Sequence, residues 1–289
     1  MRARLVPLLL MTVPGPALAH SGDDHAPGWT LTLWVVIPLG VAVLVYASGL
    51  ARLWRRSVQG RRSLARDAAL FAAGWLTLAG ALTSPLHQAG KTSFAMHMIE
   101  HEIVMLVSAL LLVAAKPGAV LLWAFPSGLR HALGSAGRWS LWRALADPFA
   151  ATFVQSVVLL AWHMPWLFNS ALRSEAWHVA QHLGLLVGAL VFWRAMLQER
   201  SGPLVSAACL FVTAMIGGGL GALMTLSESP WYAGYAALGP TPAGLTPRQD
   251  QQLAGLIMWI PGGAWHLAGA LWFLRNALRR TESRHALPR

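Results

Sequence analysis

Two pairs of histidines in this chain share one spacing: His97 with His101, and His178 with His182. An interval of four on a helix puts both rings on one face, one turn apart, so their nitrogens can share a metal ion. A fifth histidine, His163, lies at the end of an apolar run. Imidazole suits copper, zinc, iron and nickel, and thioether sulfur suits Cu(I). Methionines stand near these histidines: Met98 beside His97, Met105 one turn beyond His101, Met164 after His163, and Met258 on the last apolar segment. The only cysteine, Cys209, sits in an apolar run, so no thiolate pair is at hand. Histidine and methionine without cysteine favour copper over zinc. A lone histidine in a helix bundle is usually a hydrogen-bonded packing residue, and methionine is usually gap filler. The doubled pair and the fifth ring carry the metal reading. They make His97, His101, His163, His178 and His182 the candidate ligands, with Met98, Met105, Met164 and Met258 auxiliary.

Acidic groups near these rings have several possible uses. Glu100 lies about 60° around the helix from the His97/His101 face at 100° per residue. It can orient an imidazole, bind the cation, relay a proton, or form an ion pair between helices. Glu102 points elsewhere. Asp250, with Gln251 and Gln252, opens the last apolar segment, where it either caps that helix or closes the outer mouth of the site. His87 and His266 each stand alone and read as packing residues. His131 and His285 read as solvated, and His20 and His25 as part of an exposed tail. No nucleophile accompanies the histidines, so no catalytic residue is assigned and an enzyme is not expected.

The elements that must position these rings follow from composition. The 289 residues are 56% hydrophobic and 11% charged, with a mean hydropathy of +0.51. Soluble domains carry roughly 25% charged residues. A water-soluble globule and a disordered chain are both excluded. The net charge of +11 therefore signals cationic cytoplasmic loops rather than a nucleic-acid partner. Apolar windows long enough to cross a bilayer fall at about 29–51, 65–83, 94–115, 148–168, 175–197, 203–226 and 251–275. The fold expected is an all-α, polytopic membrane bundle of seven transmembrane helices over 29–275, in contact with lipid.

Residues 1–19 read as a signal peptide: Arg2 and Arg4, an apolar stretch, then Ala17-Leu18-Ala19. A short periplasmic segment, 20–28, follows. With the N-terminus outside, seventeen basic residues fall on cytoplasmic segments, and Lys91, Arg173 and Arg248 fall outside. That asymmetry sets the orientation by the positive-inside rule and puts the C-terminal tail, 276–289, in the cytoplasm. Segment 117–146, with Trp123, Trp139 and Trp142 among Arg130, Arg138 and Arg143, reads as cytoplasmic interfacial helix. The outer loop 227–249 reads as an ordered lid. The run Gly217-Gly218-Gly219-Leu220-Gly221 allows close helix approach. On this topology the five imidazoles share one layer, roughly 5–10 Å below the outer surface at 1.5 Å per residue.

Five strings carry a family likeness: MHMIEHE (96–102), AWHMPWLFNSAL (161–172), AWHVAQHLG (176–184), GALMTLSESPWYAGY (221–235) and DQQLAGLIMWIPGG (250–263). Together they resemble the polytopic CtaG family of cytochrome c oxidase assembly factors over roughly residues 30–275. The resemblance implies a seven-span bacterial inner-membrane protein associated with copper delivery to haem–copper oxidases. It also implies roles for His97, His101, His163, His178, His182 and the Asp250/Met258 segment. The partners it implies are an oxidase subunit and, for a metallochaperone with its site facing the periplasm, a periplasmic copper donor. The cysteine-containing, single-span factor of the same name works through thiolates that this sequence lacks. Two other functions stay open on the residues alone. A membrane redox protein could hold haem b between two histidines. A metal or proton transporter would need polar groups continuing to the cytoplasmic side, where Ser108 is nearly alone on the inner halves of the histidine-bearing helices.

Overall fold

The computed structural model of the chain describes residues 28–57, 60–136, 140–198 and 201–285. The expected signal peptide, His20, His25 and the end of the basic tail lie outside these residues. Every regular element among the described residues is a helix. That is the form in which a chain satisfies its own backbone in lipid.

The first half comprises α1 (Leu33–Arg56), α2 (Arg61–Thr83), the short α3 (Pro85–Gly90), and α4 (Phe94–Glu102). α4 runs through a π-helical segment, Ile103–Ser108, into α5 (Ala109–Ala114), and the three form one continuous candidate span. Three short helices come next: α6 (Gly118–Trp123), α7 (Ser127–Ala136) and α8 (Ser140–Ala144). The second half holds α9 (Pro148–Trp162), α10 (Pro165–Arg173), α11 (Glu175–Gln198), α12 (Pro203–Leu226) and the small α13 (Ala233–Leu238). Last come α14 (Pro247–Ile257), a second π-helical segment at Met258–Gly262, and α15 (Gly263–His285).

Five of these helices or helix runs are long and apolar enough to cross a membrane, and the bent pair α9–α10 makes a sixth candidate. The sequence reading expected seven. The difference lies in α2, which has 23 residues but opens with Arg61, Arg62, Arg66 and Asp67, so its apolar stretch is short for its length. The expected helix over 148–168 is broken. α9 ends at Trp162, and Pro165 starts α10 at 67° to it. Proline has no N–H to donate and blocks the preceding turn, so an apolar window that looks continuous becomes two helices.

Around the middle of the bundle α12 packs on α14, α15 and α9, while α11 packs on α9, α10 and α5. The glycine run on α12 acts at its end. A Cβ on Gly221 would meet the Gly255 carbonyl oxygen at 2.6 Å, and one on Gly255 would meet the Gly221 carbonyl oxygen at 2.4 Å. α12 and α14 therefore touch backbone to backbone. α1 is mostly exposed and presents Trp34, Ile37, Val41 and Leu44 outward, as a lipid-facing helix does. Helices α6 to α8 are too short to span. Arg52 Nη1 donates to the Ala124 carbonyl at 2.7 Å, and Arg130 lies 4.2 Å from the Trp123 ring, which ties this segment to the cationic end of α1.

Candidate metal centre

Local capping places each element of the site. Ser84 accepts the Leu86 N–H at 3.3 Å and Pro85 takes the first helical position. The short α3 therefore starts where α2 ends and swings His87 inward. Ser93 caps α4 and accepts the Met96 N–H at 3.4 Å. Asp250, 2% exposed, reaches from α14 to the same point. It accepts from Ser93 Oγ at 2.8 Å, from the Ala95 N–H at 3.2 Å and from the Phe94 N–H. A carboxylate at a helix N-terminus is favoured by the free N–H groups and the helix dipole. Asp250 is thus the anchor of α4. It neither caps its own helix nor stands among the imidazoles, because its oxygens are taken up by these donors. Its own helix is capped by Thr246 and Gln249.

Glu100 is the centre of the cluster. It is 0% exposed. Its Oε1 accepts from His87 Nδ1 at 2.8 Å and lies 3.0 Å from His182 Nε2 without hydrogen-bond alignment. Its Oε2 is buried with no hydrogen-bond partner among the described residues. Around it the imidazoles crowd together, some edge to face and some stacked. Ring centroids are 4.2 Å apart for His97 and His101, 4.5 Å for His178 and His182, and 5.0 Å for His101 and His182. His87 lies 5.2 Å from His178, and His97 lies 5.5 Å from His178. One ligand nitrogen each from His87, His178 and His182 fall within 4.8 Å of one another.

Ring orientation follows from the acceptors. Carbonyl and carboxylate oxygens only accept, so a nitrogen bonded to one carries the proton. His182 Nδ1 donates to the His178 carbonyl at 3.0 Å, His163 Nδ1 to the Leu159 carbonyl at 2.7 Å, and His87 Nδ1 to Glu100. Each neutral ring therefore keeps its lone pair on Nε2. The Nε2 atoms of His97, His101, His163, His178 and His182 are all buried without a hydrogen-bond partner among the described residues. Buried polar atoms are nearly always paired. Four of these bare nitrogens, on His97, His101, His178 and His182, belong to the rings packed around the buried carboxylate, and such a donor set fits a metal ion.

The structure sorts the expected site residues unevenly. His97, His101, His178 and His182 come together. His163 stands at the edge, 6.5 Å from the His101 ring and 6.1 Å from Phe168. Met98 packs in the apolar core with Phe94 and Phe168. Met164 is 48% exposed, because the turn before Pro165 directs it outward, so it is no auxiliary ligand. Met105 and Met258 border a separate, deeper cavity. His87, read from sequence as a lone packing residue, is a full member of the cluster. No spacing in the sequence marks it, since it stands alone on the short α3 and the Ser84–Pro85 turn brings it inward.

A cavity of about 520 Å³ borders His87, His97 and His178 and is rimmed by Lys91, Arg173 and Glu175. α13 lies against it. Tyr235 donates to the Gly90 carbonyl at 2.5 Å, and Tyr232 donates to the His163 carbonyl at 3.0 Å. Burial raises the pKa of both hydroxyls, which keeps them as donors. Segment 227–249 is therefore stitched onto the site.

The fold and the cluster together define a polytopic helical membrane protein with a buried imidazole–carboxylate centre at one end of its bundle. The family model of the cytochrome c oxidase caa3 assembly factor (Caa3_CtaG) matches residues 44–280, and the chain belongs to that family. No curated protein and no solved structure matches it.

Proposed function

We propose that this cytochrome c oxidase assembly factor takes up copper at the Glu100-centred histidine cluster and hands it to a haem–copper oxidase subunit in the same bilayer. The observation that carries this reading is the convergence of His87, His178 and His182 ligand nitrogens within 4.8 Å of one another, beside a carboxylate that pairs with no lysine or arginine among the described residues. Neutral imidazoles with one carboxylate make a site of charge −1, and Cu(I) brings it to zero. A buried charge is costly unless compensated, so such a site favours a monovalent ion over leaving the carboxylate alone. Imidazole nitrogen is a good copper ligand, and rings fixed through Nδ1 are presented at the right nitrogen.

Access runs through the 520 Å³ cavity, which in this reading faces the periplasm of a bacterial inner membrane and receives copper from a periplasmic donor. No bond is made or broken in the cargo, so the role is that of a metallochaperone rather than an enzyme. The test replaces His87, His178 and His182 together by alanine in cells that depend on this chain. The expected result is a normal amount of the chain in the membrane with oxidase that lacks copper. Copper-replete oxidase in those cells would overturn the proposal.

A further inference from the structure

A second cavity lies deeper in the bundle, between the first π-helical segment, α9, α12 and the second π-helical segment. Its volume is about 30 Å³, room for one water-sized guest. Glu102, Met105, Gln155, Met258 and His266 border it. Met105, Met258 and Gln155 are 5%, 4% and 5% exposed. Glu102 Oε2 and Gln155 Oε1 are buried with no hydrogen-bond partner among the described residues. Gln155 Nε2 is 3.9 Å from Met105 Sδ. His266 Nδ1 donates to the Gly262 carbonyl at 2.8 Å, which leaves its lone pair on Nε2.

The backbone makes room for this group. A Cβ at Gly262 would meet Glu102 Oε2 at 2.7 Å, so the glycine lets the carboxylate lie against the second π-helical segment. Single π-helical turns inside α-helices are rare and frequent at functional sites. Here two of them border the same small space. Among the described residues no lysine or arginine borders it, so a charged Glu102 has no counter-ion among them there. Two thioethers select a soft monovalent cation, and the volume admits an ion but no organic cofactor.

We infer that this cavity is a second cation site, one helical turn below the histidine cluster, which takes Cu(I) on Met105 and Met258 with Glu102 supplying the neutralising charge. It extends the copper reading of the cluster above, but none of its ligands is shared with that cluster. The stripe His97, His101, Met105 on one continuous helix run links the two levels and gives the ion a direction of travel.

The test is Cu(I) titration of the purified full chain against a chromophoric chelator, with X-ray absorption on the loaded protein. The expected result is a sulfur shell beside the nitrogen shell. Met105→Leu/Met258→Leu, a change that conserves volume, removes the sulfur shell and one equivalent of Cu(I). Glu102→Gln keeps the sulfur shell and weakens that equivalent about tenfold or more, as expected for losing a buried compensating charge. His178→Ala/His182→Ala strips the nitrogen shell and spares the sulfur-bound ion, so failure of the upper site is read separately from failure of this one. Absence of sulfur scattering in the unaltered chain, or its persistence in the double methionine variant, overturns the inference. Circular dichroism that matches the parent establishes that the leucine variant is folded.

Discussion

Glu100 decides what the histidines can do. Without a charged partner, a carboxylate buried among neutral rings is expensive, and the contacts it makes with His87 and His182 leave its second oxygen bare. Replacement by glutamine keeps the size but removes the charge. We expect Glu100→Gln to lower copper affinity about tenfold or more, measured by competition titration, with little change in thermal stability. Asp250→Ala acts differently, because Asp250 holds the start of α4 rather than an ion. Loss of its buried hydrogen bonds costs about 2 kcal/mol, read as a fall in melting temperature in detergent, while metal stoichiometry in the folded fraction stays the same. At this scale the sequence was legible where residues recur. The i, i+4 pairs announced themselves, and His97, His101, His178 and His182 do meet. His87 was not legible as a partner because it stands alone in its helix, and only the turn at Ser84–Pro85 brings it inward. Asp250 was misjudged because its donors are more than 150 residues away in the chain.

The helices themselves were read well wherever hydropathy alone defines them. The windows expected at 94–115, 175–197 and 203–226 correspond to Phe94–Ala114, Glu175–Gln198 and Pro203–Leu226. Breaks were harder to see. Proline at Pro165 and the π-helical turns at Ile103–Ser108 and Met258–Gly262 change direction and register without changing average polarity, so a window of apolar residues passes over them. Close approach is a third property that composition only hints at. The run of glycines on α12 predicted contact, yet the contact falls on Gly221, whereas a Cβ on Gly219 would meet nothing within 4 Å. Two substitutions separate these cases. Gly221→Val is expected to destabilise by roughly 1–3 kcal/mol through overpacking. Gly219→Ala should be neutral or stabilise by up to about 1 kcal/mol, since alanine suits a helix interior better than glycine. Thermal unfolding in one detergent reports both.

For the whole molecule, the arrangement puts the histidine cluster and its cavity at one end and a basic, tryptophan-bearing segment at the other. The basic residues of the other end lead us to expect the site end on the periplasmic side. In a Cys209→Ala background, Glu175→Cys is expected to react with a membrane-impermeant maleimide applied from the periplasmic side, and Arg130→Cys is expected not to. The reverse pattern would invert the topology and cut the cluster off from a periplasmic donor. Whether the crowded imidazoles around Glu100 hold copper is decided by X-ray absorption at the copper edge on the purified, copper-loaded chain. Copper bound by several imidazole nitrogens is expected, with that shell abolished in His178→Ala/His182→Ala. A chain that binds no copper, or one whose nitrogen shell is unchanged in that variant, would contradict that expectation.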